Sequence, residues 1–278
     1  MRHIAQDYPW LTEPVERLLA AQAQGRFPHA MLFSGIAGLG KAYLAEQLAA
    51  YLNPYTLDTT WVRPEESSSS IKVDQIRGLQ QTILQTSMAG GKKIAIIQLA
   101  EQMNASASNA LLKVLEEPPG DSLLLLLTEN PSLLLPTIIS RCQRFIFSAP
   151  PLDVARQWLL SQGQVPERIE TALILSLGAP FNALAIIKEQ QDQEFERFRQ
   201  DIMAYFAGQK TVVEVSKAWE KTSLKRIVHY MQLILVLLIQ QGKSLHAMYD
   251  RVLSAKRAVQ AGIAVNTALT LEHMLISL

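Results

Sequence analysis

Cysteine is almost missing from this chain of 278 residues, in which Cys142 is the single one. A lone cysteine excludes an internal disulfide and a cysteine-rich zinc module, so we expect no metal site. An excess of charge of one sign is missing too, because 26 Lys and Arg residues stand against 25 Asp and Glu residues. Such a balance provides no bulk positive field to hold nucleic acid through its phosphates. Any contact with DNA is therefore expected to be local or shared with partner proteins.

Long apolar runs are also missing. The most apolar stretch, YMQLILVLLI at 230–239, has about half the length that a membrane-spanning helix needs. The N-terminal MRHIAQDYPW carries no hydrophobic signal core. We therefore expect a cytoplasmic protein without membrane contact. The apolar fraction of 49% is still high enough for well-filled cores, and the length predicts two or three domains.

Strand and helix patterns alternate through the first half of the chain. The run SLLLLLT at 122–128 is apolar at nearly every position, which is typical of a strand covered on both faces of a parallel sheet. The alternation predicts a doubly wound α/β domain over 1–148. After Pro150 and Pro151 the patterns are helical throughout, which predicts a small helical domain over 149–190 and a larger one over 191–278.

The stretch from 53 to 70 is the least informative part of that pattern. Two prolines and four consecutive serines within 53–70 predict a strand flanked by a flexible surface loop. A helical pattern follows over 73–87, and Gly90 and Gly91 predict a turn before the next strand.

The sequence GIAGLGKA contains most of a phosphate-binding loop. In the signature G-x-x-x-x-G-K-[ST], backbone N–H groups cradle phosphates, the lysine reaches the β- and γ-phosphates and the hydroxyl ligates Mg²⁺. The matching residues lie between a predicted strand and a predicted helix and are Gly35, Gly38, Gly40 and Lys41. Ala42, however, stands where the hydroxyl is required. The alternative is a tight turn with a surface lysine.

The acidic partner of such a loop is missing as well. It is expected directly after the apolar run of a neighbouring strand, here KKIAIIQL at 92–99. Gln98 and Leu99 occupy those places, and Glu101 comes two residues later. Glutamine supplies no negative charge to a cation, and leucine cannot polarise water. Three groups missing from one site predict that hydrolysis has been lost.

Two further motifs, NASASNALLKVLEEPP and PTIISRC, resemble the clamp-loader branch of the AAA+ ATPases and, within it, the delta prime subunits of bacterial DNA polymerase III. The resemblance extends over residues 10–190 and more weakly to the C-terminus. It implies an AAA+ RecA-like core over 1–148, a helical lid over 149–190 and a helical collar over 191–278 that joins subunits in a ring. Residues 53–70 depart from the family, because they lack the four cysteines of a zinc module that such subunits commonly carry.

The resemblance also implies roles for site residues. Arg141 would be an arginine finger that acts in trans on the ATP of a neighbouring subunit, and Ser140 would support it through local hydrogen bonds. Cys142 is expected to be a buried packing residue rather than a nucleophile. Near these motifs, Lys113, Glu116 and Glu117 form either a solvated helix end or a face turned toward another subunit.

For the phosphate loop the resemblance implies a degenerate, vestigial site at Gly35, Gly38, Gly40 and Lys41. Phe181 replaces a lid arginine that senses the γ-phosphate in the family, and we expect it to be a core residue of the small domain. Thr128 and Asn130 stand at phosphate-sensing positions and are expected to be structural remnants. We expect no cofactor, and residual nucleotide binding stays open.

The function that the resemblance implies is that of a non-hydrolysing delta prime-like subunit of the bacterial replicative clamp loader, a part of the DNA polymerase III holoenzyme. Its partners would be the gamma/tau and delta subunits, the sliding clamp indirectly, and primed DNA as part of the complex. One alternative is an active AAA+ ATPase of the gamma/tau type, with Glu101 in place of the missing acid. A second is a plain nucleic-acid-binding module, which the balanced charge and the lack of an aromatic-basic cluster oppose.

Overall fold

The computed structural model describes residues 1–25, 27–53, 58–65, 68, 70–84, 92–263 and 265–276. The predicted loop flanks at 54–57, 66–67 and 69, the predicted helix end at 85–87 and the predicted turn at Gly90 and Gly91 lie outside these residues. The chain forms two compact units. The first comprises Met1–Gln162 with Gly178–Asn182, and the second comprises Gly163–Leu177 with Ala183–Leu278. The division into three domains stays a prediction.

The first unit is built on a parallel sheet. Its strands are β1 (Ala30–Ser34), β2 (Thr59–Val62), β3 (Lys93–Gln98), β4 (Ser122–Thr128) and β5 (Gln143–Ile146), in the order β2-β3-β4-β1-β5. All neighbouring strands pair in parallel. Its helices are α1 (Arg2–Asp7), α2 (Thr12–Ala23), α3 (Lys41–Leu52), α4 (Val73–Leu84), α5 (Ala105–Glu116), α6 (Pro136–Ile139) and α7 (Leu152–Ser161). The predicted doubly wound α/β fold is confirmed.

Side chains of the central strands alternate between two apolar cores, one on each face of the sheet. Leu124 and Leu126 of β4 belong to one core, and Leu123, Leu125 and Leu127 belong to the other. Successive side chains of a strand point to opposite faces, so a strand covered on both sides needs apolar residues at every position. This is why β4 is buried along its whole length.

The register of the sheet brings three loop starts to one edge. Ser34 pairs with Thr128 at the carboxyl ends of β1 and β4, and Gln98 at the end of β3 pairs with Leu127. The glycine-rich turn after β1 therefore begins beside the residues that follow β3 and β4. In open α/β sheets this edge is where ligands bind.

The second unit is helical within its described residues. Its helices are α8 (Pro166–Leu175), most of α9 (Pro180–Lys188), α10 (Gln191–Phe206), α11 (Val212–Trp219), α12 (Leu224–Gln240), α13 (His246–Gln260) and α14 (Thr267–Leu275). Phe198 packs edge-on against Trp219, with 5.0 Å between ring centroids. Asp192 is buried and receives two hydrogen bonds from Arg168, at 2.6 and 2.7 Å, which fix α10 to α8.

Among the described residues no single helix is long and apolar enough to cross a membrane, although the bent pair α8 and α9 would suffice by length and composition alone.

Candidate functional site

The glycine loop joins β1 to α3, as the sequence predicted, but its concave side is filled by the chain itself. Gly38 has a φ of +78°, and a Cβ placed there would lie 2.3 Å from the Cβ of Asn182 and 2.5 Å from its backbone nitrogen. The Phe181 N–H donates a hydrogen bond to the carbonyl of Gly38 at 3.1 Å. Gly38 therefore accommodates the backbone at the start of α9, a close approach that a residue with a side chain could not allow.

Lys41, the first residue of α3, is directed back onto its own loop. Its side chain is 8% exposed, and its Nζ donates to the carbonyls of Gly35 and Ile36, the latter at 2.8 Å. Burial lowers the pKa of the Lys41 ammonium, while the nearby charges of Glu129 and Glu101 act in the opposite direction. The ammonium is thus held by backbone oxygens of the loop that it would serve.

A cavity of about 300 Å³ lies beside the loop, at the small end of ligand pockets. Its lining residues are Ala37, Gly38, Gly40, Lys41, Ala42, Tyr43, Gln98, Leu99, Leu127, Thr128, Glu129 and Phe181. The structure therefore brings the glycine loop together with the positions of the missing hydroxyl and the missing acid. Ser140 and Arg141 do not line this cavity.

Glu101 lies close enough to influence Lys41, yet it is used by the backbone. Its Oε1 accepts a hydrogen bond from the Glu129 N–H at 3.0 Å. Its Oε2 is buried and has no hydrogen-bond partner in the described part of the chain. The described residues contain no group of three or more His, Cys, Asp or Glu side chains that could hold a metal ion.

Phe181 belongs to the first unit, and its ring lies against the glycine loop. The expectation that it is a core residue of a small domain stays a prediction, as does that domain itself. A Cβ on Gly40, whose φ is +94°, would lie 2.9 Å from Phe181 Cε2. The ring also contacts four other aromatic rings, with centroid distances of 5.1 to 5.7 Å. They are Tyr8, Trp10, Tyr43 and Trp158. Phe181 is thus part of an aromatic cluster that packs on the glycine loop.

The two polar residues after β4 make local hydrogen bonds. Thr128 is fully buried, and its Oγ1 accepts from the Asn130 N–H at 3.2 Å. Asn130 Oδ1 in turn accepts from the N–H of Ser132 at 3.2 Å and from its hydroxyl at 2.6 Å. Such contacts terminate a strand and cap a short turn.

In the turn of Ser140, Arg141 and Cys142, an exposed arginine stands between buried residues. Ile138 and Cys142 are buried at 0% and 8% exposure and belong to the same apolar core as α5, so the backbone on both sides of Arg141 is fixed. Ser140 Oγ donates to the Thr137 carbonyl at 3.1 Å. Burial raises the pKa of the Cys142 thiol to about 12, which keeps it protonated at neutral pH.

Arg141 is exposed and makes two contacts of its own. Nη2 lies 2.7 Å from Glu116 Oε1, and Nη1 donates to the Thr137 carbonyl at 3.1 Å. The sequence left Glu116 as either a solvated residue or a subunit-facing one, and the pairing with Arg141 was missed. A separation of 25 residues between the end of α5 and the turn after α6 leaves no local pattern that could have predicted this pair.

The chain is similar to known proteins of one family. Residues 53–151 match the family described as DNA polymerase III, delta subunit. A DNA polymerase III subunit delta′ from Pseudomonas aeruginosa is 37% identical over 222 residues, covering 69% of this chain and 66% of that protein. A subunit delta′ from Haemophilus influenzae is 30% identical over 219 residues, covering 72% of this chain and 67% of that protein. The chain belongs to the DNA polymerase III delta′ family. The delta′ resemblance predicted from the sequence is thereby confirmed, over about two thirds of the relatives' length.

A solved structure supports the fold of this delta′ family member. The DNA polymerase III gamma subunit-related protein from Thermotoga maritima superposes with a TM-score of 0.56 at 18% identity, covering 93% of this chain and 97% of that protein. At such low identity the likeness speaks for the fold alone. The predicted AAA+ RecA-like architecture is confirmed.

Proposed function

We propose that this chain is a non-hydrolysing subunit of a bacterial clamp loader, which helps to place a sliding clamp on primed DNA. Its partners would be ATP-hydrolysing gamma/tau subunits and a delta subunit. Its chemical contribution would be Arg141, offered in trans to the ATP site of a neighbouring subunit. The relatives named as subunit delta′ support the coarse assignment, and the geometry of the two sites supports the finer roles.

The observation that carries the proposal is the position of Lys41. Its ammonium is bound to the carbonyls of Gly35 and Ile36, on the loop that would have to receive phosphate. Asn182 fills the space in front of Gly38. These residues do not fit a magnesium nucleotide, because the cation would also find Ala42 and Gln98 in place of a hydroxyl and a carboxylate. We therefore propose that the chain works without its own cofactor.

Arg141 has the features that a residue acting in trans requires. Its backbone is fixed between buried neighbours, and its guanidinium is exposed. A guanidinium has five N–H donors, and the two acceptors on the described chain leave three of them open. A planar cation with spare donors is suited to bind phosphate oxygens and to stabilise the charge that develops during phosphoryl transfer.

The test is the ATPase rate of the reconstituted loader, stimulated by clamp and primed DNA, with the wild-type chain or with Arg141→Ala. Hydrolysis at the site that Arg141 serves should fall by roughly 10³-fold or more, and the total rate should fall by the share of that site. Arg144→Ala is the matched control, since it removes the same charge from an exposed position in β5. Gel filtration must show that all three chains assemble equally.

Other results would favour other functions. An unchanged rate with Arg141→Ala would reduce the role of the chain to that of a scaffold. ATP hydrolysis by the isolated wild-type chain, lost in Lys41→Ala, would support an ATPase of the gamma/tau type. Tight, salt-sensitive binding of DNA by the isolated chain would support a nucleic-acid-binding module.

A further inference from the structure

The ion pair between Glu116 and Arg141 joins two elements that are otherwise held by apolar contacts. Val114 and Leu115 of α5 share a core with Ile138 of α6, which places the last turn of α5 beside the turn that carries Arg141. Glu116 Oε1 then lies 2.7 Å from Arg141 Nη2. Both side chains remain accessible, at 50% and 36% exposure. The pair can therefore open without unfolding anything around it.

Glu116 is not explained by the stability of its own helix. It is the last residue of α5, and the C-terminal end of a helix carries partial negative charge. A carboxylate at this end is unfavourable, whereas a lysine or arginine would be favourable. The contact with Arg141 offsets this disadvantage. The partner of Glu116, rather than α5, gives a physical reason for an acid at this position.

We propose that Glu116 is an intrachain latch, which holds the Arg141 guanidinium on its own chain until the polyphosphate of a neighbouring subunit displaces it. The proposal rests on the role proposed above for Arg141. Glu116 is then a positioning residue that acts through Arg141 and contacts no substrate. Its function would be to keep an exposed arginine from binding other anions before the subunits assemble.

Displacement is favoured because the open donors of Arg141 lie on the same guanidinium that Glu116 binds. One N–H of Nη2 is used by Glu116 and one N–H of Nη1 by the Thr137 carbonyl. A phosphate bound in the usual paired way to the forked Nη groups would therefore lie beside the Glu116 carboxylate. A phosphate that approached these groups with Glu116 still in place would be repelled by the carboxylate. Opening the latch therefore costs part of the energy gained by phosphate binding.

The first experiment measures KM and kcat for ATP in the reconstituted, clamp- and DNA-stimulated loader, with the wild-type chain and with Glu116→Gln. Glutamine keeps the size of the side chain and removes its charge. Exposed ion pairs are weak, so the KM of the site that Arg141 serves should fall by only about 1.5- to 5-fold. The kcat should stay unchanged, since the latch opposes contacts to substrate and transition state alike.

Two variants separate a latch from a merely structural charge. Glu117→Gln removes the neighbouring exposed carboxylate and should leave KM unchanged. Glu116→Gln added to Arg141→Ala should have no effect beyond that of Arg141→Ala alone, because a latch has nothing to hold without its arginine. A lower kcat in Glu116→Gln would instead mean that Glu116 aims Arg141 productively, and it would overturn the latch.

A second measurement follows Arg141 directly in the isolated chain. Its modification by phenylglyoxal, mapped by mass spectrometry, should be about 1.5- to 5-fold faster in Glu116→Gln than in the wild type or in Glu117→Gln. Equal rates would show that no latch exists, whatever the ATPase assay gives. Faster modification with an unchanged KM would show a contact without regulatory effect and would also overturn the proposal. An unchanged ATPase in Arg141→Ala would instead mark failure of the arginine role itself.

Discussion

Lys41 of the glycine loop and Arg141 of the Ser140–Cys142 turn differ in how far their positive charges are exposed to solvent. Lys41 is buried, and its ammonium is satisfied by carbonyls of its own loop. Arg141 is exposed, and three of its five N–H donors have no acceptor among the described residues. Both cations contact acceptors of their own chain, but only Arg141 is exposed to solvent.

This difference shows that the glycines of a phosphate-loop motif can serve packing within the chain. The glycines of the loop are still required, since Gly38 and Gly40 admit Asn182 and Phe181 at distances that no side chain would allow. The loop thus accommodates the start of α9, which belongs to the same unit. This close packing explains the glycines, so their presence alone is not evidence of nucleotide binding.

The largest effect is expected when a side chain is added to Gly38, where the loop meets Asn182. Gly38→Ala would place a Cβ 2.3 Å from the Asn182 Cβ at a φ of +78°. Left-handed strain of about 1–2 kcal/mol and overpacking of about 1–3 kcal/mol add up to a loss of about 2–5 kcal/mol. Urea unfolding followed by tryptophan fluorescence should show a lower midpoint with an unchanged m-value.

Gly25→Ala is the matched control for that substitution. Gly25 has a similar φ of +64°, but a Cβ there would meet no atom of the described chain within 4 Å. It should lose only the strain, about 1–2 kcal/mol. Equal losses for both variants would mean that the contact with Asn182 contributes nothing, and the loop would again be open to a phosphate.

A smaller effect is expected when the ring of Phe181, which packs on the glycine loop, is removed. Phe181→Ala takes away ring contacts to Trp10 and Trp158, at 5.7 and 5.3 Å between centroids. The loss should be about 2–3 kcal/mol, below that of a fully buried phenylalanine, because the ring is partly exposed. Tryptophan emission of the folded protein should shift to the red as water reaches the two indoles.

Phe206→Ala offers a control outside the loop region. Phe206 is also partly buried, lies at the end of α10 and contacts Tyr205 at 5.5 Å between centroids. It should leave the emission of Trp10 and Trp158 unchanged. If Phe181→Ala behaved in the same way, the cluster would not be a packed part of the site.

How far the sequence predicted this site depends on the range of the interaction. The missing groups at Ala42, Gln98 and Leu99 were visible because each has a fixed place after a recognisable strand or glycine. The fold was visible for a similar reason, since β4 is apolar along its length and strands alternate with helices. Local spacing and local polarity carry these signals.

Contacts between distant segments could not be predicted in this way. Nothing in the sequence places Asn182 against Gly38 or the ring of Phe181 against Gly40. The contact of Glu116 with Arg141 depends on how α6 packs on α5, which is decided by apolar side chains rather than by either charge. These contacts depend on how helices, strands and loops pack against one another, and that packing cannot be read from a single sequence.

The smallest effect is expected from a substitution that completes the phosphate-loop signature in sequence alone. Ala42→Ser restores the signature hydroxyl at a partly buried position, so stability should change by no more than about 0.5 kcal/mol. ATP hydrolysis by the isolated chain should not rise, because Lys41 stays on its own carbonyls and Gln98 still lacks a negative charge. Single-turnover assays with Mg²⁺ and ATP would measure this, with Lys41→Ala/Ala42→Ser as the background. A magnesium-dependent rate present in Ala42→Ser and absent from both the wild type and the double variant would mean that Asn182 and Lys41 yield readily to phosphate. The two regions would then differ by one hydroxyl rather than by the way the chain is packed.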